Sequence, residues 1–373
     1  MTPELKIADI TQWYSPTSGG IKTYLHAKSE YAARTTTAHA IVVTGPRNAQ
    51  GHLAASRLIT VRGRTATERW GYRLAVSAHG IIAALNDLRP NVVVVHDALA
   101  FPQTIARWAS THDAALVLLC HSHLAAAANG LPRPLRVIAT PVLNTIQARA
   151  LRVGQAVLVA SDTTRQQIAD RAHAPIVVSP LGVAIAEFAA ARPSPALRAR
   201  LAGPADTLLT YAGRLSSEKR VELLPDVLAA LPDHYVLAIA GAGAARARLE
   251  QRAHDRRVHH RLRLLGHIAD RRQLATLLAT ADCFVHPNPD EPFGLAPLEA
   301  LAAGCRVVAP QQAGSAETLG ARGAILVPPN DATALAHGVL QAMGAPPPAT
   351  DIADCSWDRT FAREWRLYGD LCR

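Results

Sequence analysis

The sequence predicts an α/β protein made of two doubly wound domains. Three observations carry this expectation. Short runs rich in Val, Leu and Ile recur along the chain, continuous rather than alternating, as strands buried on both faces of a parallel sheet require. Stretches of helical character separate these runs. The chain has 373 residues, more than one ordinary core holds, and its alternation is interrupted at 181–206 by Pro193, Pro195, Pro204 and many alanines.

Taken in order, strands are expected at 5–10, 40–44, 92–96, 116–120, 156–160 and 176–179 in the first half. The second half restarts with strands at 208–212, 236–240, 262–265, 283–286 and 306–309. Helices are expected at 20–34, 70–88, 140–151 and 161–172, then at 221–231, 244–254, 270–280 and 295–303. A final helix begins near Ser356, after Pro346-Pro347-Pro348. The expected division is 1–180 and 181–355, with the closing helix 356–373 packing back on the first domain.

Composition narrows the function. The five cysteines, Cys120, Cys283, Cys305, Cys355 and Cys372, are scattered and form no C-x-x-C pair, so neither a disulfide framework nor a zinc site is expected. A reducing, cytoplasmic compartment fits. The N-terminus lacks a signal-peptide core, and no run of eighteen apolar residues suggests a spanning helix. The formal net charge is +10, and residues 1–180 hold 18 Lys/Arg against 9 Asp/Glu, while 181–373 hold 21 against 20. Arg57, Arg62, Arg64, Arg69 and Arg73 cluster with only Glu68 among them. This reads as a solvated surface or as contact with an anionic membrane face. No nucleic-acid-binding pattern is present, so no nucleic-acid partner is expected.

The most informative segment is Glu291-Pro292-Phe293-Gly294-Leu295-Ala296-Pro297-Leu298-Glu299. It follows a strand and opens a helix. A helix start preceded by glycine offers unpaired amides to an anion, and the two carboxylates beside it suit hydroxyl groups rather than phosphate. An anion flanked by hydroxyls is what a nucleotide sugar presents. Gly213-Arg214 and Lys219 follow the 208–212 strand and place two cations where α/β proteins bind ligands, although a solvated loop also fits. Gly19-Gly20 opens a helix after the first strand. His121-Ser122-His123 follows the 116–120 strand, and His121 suits a hydrogen-bonding or proton-handling role, although such a histidine taken alone is more often structural. Gly241-Ala242-Gly243 lacks a third glycine because Arg246 stands there, so a hydride-transfer reading is weak.

Together these motifs resemble the retaining GT-B glycosyltransferases of family 4, the group 1 glycosyltransferases. The resemblance runs from Leu264-Leu265-Gly266-His267-Ile268 through Ala281-Asp282 and Glu291–Glu299 to Ala309-Pro310. Gly213-Arg214 with Lys219, Ser18-Gly19-Gly20, His121 and Ser179-Pro180-Leu181-Gly182-Val183 with Phe188 also match. Departures are Leu181 and Ala184 in the entry to the second domain, Arg220 where glycine is common, and Ala316 where proline is common.

The resemblance implies two Rossmann-like domains facing across a cleft, the first for the acceptor and the second for the donor. It implies transfer of a hexose, with retention, from a nucleotide diphosphate sugar to an acceptor hydroxyl on a glycan, glycolipid or lipid-linked sugar. Glu291 would hold sugar hydroxyls, the Phe293, Gly294 and Leu295 amides the diphosphate and sugar, and Glu299 the ribose. Arg214 and Lys219 would neutralise the leaving diphosphate, with Gly213 and Gly19-Gly20 in the phosphate loops. His121 would contact the sugar near the reacting carbon, and the base would lie near His267 and Ile268. No metal or organic cofactor is expected. The rival readings are an epimerase or phosphorylase on the same fold, and a non-catalytic binder of an anionic partner.

Overall fold

The structure, a computed structural model, describes residues 4–14, 19–67, 72–121, 124, 128, 133–291, 293–312, 314–346 and 352–373. The chain forms two compact units, Met1–Leu181 with Trp357–Arg373, and Gly182–Ser356.

The first unit runs β1 (Lys6–Thr11), α1 (Gly20–Arg34), β2 (Ala38–Gly45), β3 (Ala49–Leu53), β4 (Ser56–Arg62), β5 (Arg64–Thr67), β6 (Tyr72–Leu74), α2 (His79–Leu88) and β7 (Val92–Val95). It continues with α3 (Pro102–Thr111), β8 (Ala115–Cys120), α4 (Arg133–Ala150), β9 (Ala156–Val159), α5 (Asp162–Ile168) and β10 (Ile176–Val178). The main sheet has the order β10-β9-β8-β7-β1-β2-β4-β3, parallel except for β3. Strand order reverses between β1 and β7. Buried Val93, Val95, Leu116, Leu118, Val157 and Val159 form the central core, which explains the continuous apolar runs.

The second unit contains α6 (Ile185–Ala189), α7 (Pro195–Leu201), β11 (Thr207–Ala212), α8 (Leu224–Ala229), β12 (Tyr235–Ala240), α9 (Arg246–Asp255), β13 (Leu262–Gly266) and α10 (Arg271–Thr280). Then come β14 (Cys283–Val285), α11 (Leu295–Ala302), β15 (Arg306–Pro310), α12 (Gly314–Gly320), β16 (Ile325–Val327) and α13 (Ala332–Gly344). Its sheet is fully parallel, with the order β13-β12-β11-β14-β15-β16, so the reversal falls between β11 and β14. The charged break before β14 is structural. Asp282 Oδ2 accepts from the Leu208 amide and from Arg198 Nη1, each at 2.7 Å, which ties α7 to the sheet.

The last helix, α14 (Trp357–Leu371), belongs to the first unit. Phe361 meets Tyr24 edge-on at 5.4 Å, Thr360 Oγ1 donates to Pro180 O at 2.8 Å, and Trp365 Nε1 donates to Thr37 Oγ1 at 3.0 Å.

Some elements differ from expectation. The helix expected at 70–88 begins only at His79, and Tyr72–Leu74 instead pairs with Arg64–Thr67 as a two-stranded ribbon. Trp70 lies outside the described residues, as do Glu68 and Arg69 of the arginine cluster. The helix expected from 140 starts at Arg133 and runs through Pro141, which reads from sequence as a first-turn proline. The edge strand β3 (Ala49–Leu53) is polar and exposed, which hid it, and β16 is only three residues long. The helices α3, α12 and α13 fill stretches left unassigned.

Gly241-Ala242-Gly243 seats one loop on another. The Leu215 amide donates to Ala242 O at 2.9 Å, and the Ala245 amide to Leu215 O at 2.9 Å. A Cβ on Gly241 would lie 2.0 Å from Gly213 O, and one on Gly243 would lie 2.2 Å from Leu215 O. Gly241→Ala should therefore destabilise the protein by about 2 kcal/mol or more, the cost of overpacking against backbone, read as a lower urea midpoint.

Candidate active site

In a parallel sheet the crevice forms beyond the carboxyl ends of the strands where their order reverses. In the second unit that place lies beyond β11 and β14, and the two loops meet there. Lys219, after β11, donates to Glu291 Oε2, after β14, at 2.5 Å. Asn288 Nδ2 adds a bond to the same oxygen at 3.3 Å. Burial opposes the charge on Glu291, but Lys219, His286 and these hydrogen bonds outweigh it and hold the carboxyl at about 2. His286 sits at the same strand end, and burial pushes its ring down to about 4.

Gly294 ends this loop with φ +79° and caps α11. A side chain there would meet Ser315 Cβ at 2.9 Å and Pro297 Cγ at 3.0 Å. Positive φ and close approach both select glycine. The Leu295 and Ala296 amides follow as first-turn donors, while Pro297 lacks one. Phe293 is buried and anchors the turn. The Ser315 amide donates to Glu291 O at 3.2 Å, which draws the start of α12 to the same place. Among the described residues, Ser216 Oγ, His286 Nε2 and Ser315 Oγ are buried without a hydrogen-bond partner. These orphans follow β11, β14 and β15, so polar groups of a ligand have counterparts waiting at adjoining strand ends.

Arg214 pairs with Glu218 at 3.1 Å, four residues on, while Lys219 bypasses Glu218 for Glu291. Gly213 precedes them, with Tyr211 Oη 2.7 Å from where a Cβ would stand. Arg220 adopts φ +54°, the left-handed conformation for which glycine is the unstrained residue, so the arginine departure keeps the loop's shape. Glu299 is turned to Arg271 Nη2 at 3.2 Å, and Arg271 Nε also holds Glu187 at 2.9 Å. Burial lifts the Glu299 carboxyl to about 7 against the pull of Arg271. His267 is exposed and Ile268 half-buried, just after Gly266 at φ +74°.

In the first unit, Gly19 and Gly20 are exposed at the start of α1, and Ser18 lies outside the described residues. His121 follows β8, while Ser122 and His123 lie outside the described residues. His121 is joined to groups the motif search missed. His121 Nε2 lies 2.8 Å from His96 Nδ1 with the rings stacked, and His96 Nε2 lies 2.7 Å from Asp9 Oδ1. Lys28 Nζ donates to that same oxygen at 2.8 Å, and His39 Nε2 lies 2.5 Å from Oδ2. Glu364 Oε2 accepts from Tyr24 at 2.6 Å and from Tyr368 at 3.0 Å, and lies 3.6 Å from Lys28 Nζ.

Sheet register explains why these residues share a face. Asp9 is level with Ile41 and Val94, and Val94 with Val117. His39 lies two residues before Ile41, His96 two beyond Val94, and His121 four beyond Val117, all even steps. Burial opposes the charge of Asp9, but Lys28 and the bonds from His39 and His96 hold its carboxyl well below the ordinary value. Burial pushes His96 and His121 down, His121 well below the ordinary histidine value. Asp97, next to His96, is lifted by burial to about 6 although the Gln12 and Leu99 amides donate to it at 3.0 Å.

The family description "Glycosyl transferases group 1" matches residues 197–354, and "Glycosyltransferase Family 4" matches 18–187. A GDP-mannose-dependent alpha-(1-6)-phosphatidylinositol dimannoside mannosyltransferase of Mycobacterium tuberculosis is 32% identical over 351 residues, covering 92% of this chain and 88% of the relative. Sucrose-phosphate synthase from Thermosynechococcus elongatus superposes with a TM-score of 0.74 at 21% identity, covering 99% of this chain and 94% of that one. Anabaena HepE in complex with UDP-glucose superposes with a TM-score of 0.69 at 18% identity, covering 99% and 98%. The fold is GT-B, α/β with Rossmann-like parallel sheets. This chain belongs to the group 1 glycosyltransferases, GT-B family 4.

The Lys219–Glu291 pair yields a direct prediction. With Lys219→Met the burial penalty on Glu291 loses its main opponent, so the carboxyl should move up from about 2 toward the ordinary range. Carboxyl carbon NMR reads this. A depressed folded-state value contributes stability above the unfolded value and loses it as pH falls toward 2, so the variant should lack that contribution.

Proposed function

We propose that the protein is a retaining hexosyltransferase that moves a sugar from a nucleotide diphosphate sugar to an acceptor hydroxyl. The observation that carries this reading is the convergence of Lys219, Glu291 and the start of α11 at the β11/β14 reversal, ringed by the unpartnered Ser216, His286 and Ser315. Glu291 is kept ionised and accepts hydrogen bonds from sugar hydroxyls. The first amides of α11 meet the anionic part of the donor. Arg214 and Lys219 shift from their carboxylates to the diphosphate as it leaves, which stabilises charge developing in the transition state. Glu299, with Arg271 beside it, takes the ribose, and the base lies by His267 and Ile268. Gly19-Gly20 lines the phosphate side, and His121 contacts a hydroxyl of the transferred sugar. Retention without a placed nucleophile favours attack on the face the diphosphate leaves. No metal or cofactor enters this scheme.

Glu291→Gln keeps the shape and removes the charge. Transfer should fall by at least about 100-fold with thermal stability retained, because the change removes a group that acts on the transition state. Full activity in that variant would overturn the assignment. Thermal shift with GDP-, UDP- and ADP-sugars identifies the donor; the named mannosyltransferase relative favours GDP-mannose.

That relative's printed acceptor, a phosphatidylinositol dimannoside, also favours a lipid-linked acceptor and peripheral attachment to an anionic inner membrane face. No helix among the described residues is long and apolar enough to cross a membrane. Of the arginine cluster, Arg57 is paired with Asp87 at 2.7 Å and Arg73 donates to Gly63 O at 3.2 Å, while Arg62 and Arg64 are exposed. A stronger surface is α4, where Leu135, Val137, Ile138 and Val142 are 54, 68, 67 and 53% exposed beside exposed Arg136. The surrounding stretch 114–161 holds no Asp or Glu, so exposed apolar side chains, of which Leu135, Ile138 and Val142 share one helix face, meet an anionic bilayer from a basic segment. Val137→Glu with Ile138→Glu should reduce sedimentation with anionic vesicles by at least about tenfold, since each change removes apolar insertion and adds repulsion. Equal sedimentation with anionic and neutral vesicles would remove the membrane reading.

A further inference from the structure

The line Asp9–His96–His121 determines which ring nitrogen of His121 carries its proton. Asp9 Oδ1 is a carboxylate oxygen and accepts only. His96 Nε2, 2.7 Å away, must therefore be the donor. The same oxygen already receives Lys28 Nζ at 2.8 Å, and Lys28 is fully buried, so a second cation at His96 is disfavoured by repulsion and by burial. A neutral His96 with its proton on Nε2 has a lone pair on Nδ1. His121 Nε2 stands 2.8 Å from that lone pair and must bring the proton to it. A neutral His121 protonated on Nε2 has its own lone pair on Nδ1.

We propose that Asp9 and His96 are positioning residues for His121, holding it in the Nε2–H tautomer so that Nδ1 accepts a hydrogen bond from a sugar hydroxyl. The identity of that hydroxyl-bearing partner rests on the glycosyl-transfer reading, while the tautomer rests on the geometry alone. The surroundings reinforce the assignment. Tyr24 stands edge-on to both rings, at 5.5 Å from His96 and 5.7 Å from His121, and blocks a tilt that would break the line. The charged and titratable groups joined to it directly or through the network are His96, Asp9 from β1, Tyr24 and Lys28 from α1, His39 from β2, and Glu364 and Tyr368 from α14. Burial, His96 and Lys28 hold the His121 ring well below the ordinary histidine value against the pull of Asp9, so it stays neutral as pH falls through that range. The closing helix thus reaches His121 indirectly, since Tyr368 accepts from Lys28 Nζ at 3.1 Å while the same ammonium donates to Asp9.

Nitrogen NMR of the full chain, labelled in the histidine rings and assigned by comparison with His121→Ala, tests the tautomer without reference to activity. The expected result is a protonated Nε2 and an unprotonated Nδ1 on His121 at neutral pH, with no titration in the ordinary histidine range. A proton on Nδ1, or a cationic ring at neutral pH, overturns the proposal. Kinetics test the consequence. His96→Phe keeps an aromatic ring but removes the acceptor, and should lower kcat/KM for transfer by about 10–100-fold, the usual effect of losing a partner that orients a histidine. His96→Gln offers a carbonyl oxygen to the same proton and should recover activity relative to His96→Phe. Unchanged kcat/KM in His96→Phe also overturns the proposal. Absence of transfer by the unaltered protein would instead remove the proposed function, and the NMR result would still decide the tautomer.

Discussion

In a parallel sheet every loop that follows a strand emerges at the same edge, and where strand order reverses, two of those loops part around a crevice. The second unit depends on this constraint. Because β11 lies between β12 and β14, the loop after β11 and the loop after β14 face each other. That brings Lys219 to Glu291, 72 residues away in sequence. The left-handed Gly294 and the start of α11 follow on the same loop, the Ser315 amide bonds Glu291 O, and the unpartnered Ser216, His286 and Ser315 side chains belong to the segments after β11, β14 and β15.

Burying charge is costly, and each unit meets the cost differently. In the second unit one carboxylate has one cation, at a place still one-quarter to one-sixth exposed at the side chains. Such a pair can exchange partners when an anion and hydroxyls arrive. In the first unit Asp9, Lys28 and Glu364 have fully buried side chains, and every contact among them is met within the network except Glu364 Oε1. Removing one member would strand the rest. The first unit's polar centre is therefore fully enclosed, while the second unit's pair stays partly open to solvent.

Much of this was legible in the sequence. The continuous Val and Leu runs at β7, β8 and β9 marked a parallel sheet because those strands are covered on both faces. Glu291–Glu299 read as a loop opening a helix because Gly294 and Pro297 punctuate it, and α11 begins at Leu295. The edge strand β3 was not legible, because an exposed polar strand lacks an apolar signature, whereas the inner strand β4 buries Ile59 and Val61 and was passed over. The Gly241-Ala242-Gly243 motif read only as an incomplete dinucleotide loop, and the demand for glycine made by Gly213 and Leu215 was not legible. Glu299 read as a free carboxylate, since nothing local announces that Arg271 will meet it.

The sequence by itself determined the fold class and singled out the Glu291–Glu299 segment, Arg214, Lys219 and His121 as candidates. These features are local, written in periodicity and in residues with special backbone or charge chemistry. Only the tertiary structure decided the partners. Asp9, His39, His96 and His121 come from four separate strands or strand ends, and they share one face only because the parallel register sets them an even number of steps apart. A shift of one residue in any strand would turn its member to the opposite face. Register is fixed by the packing of whole strands and helices, and no single segment contains it.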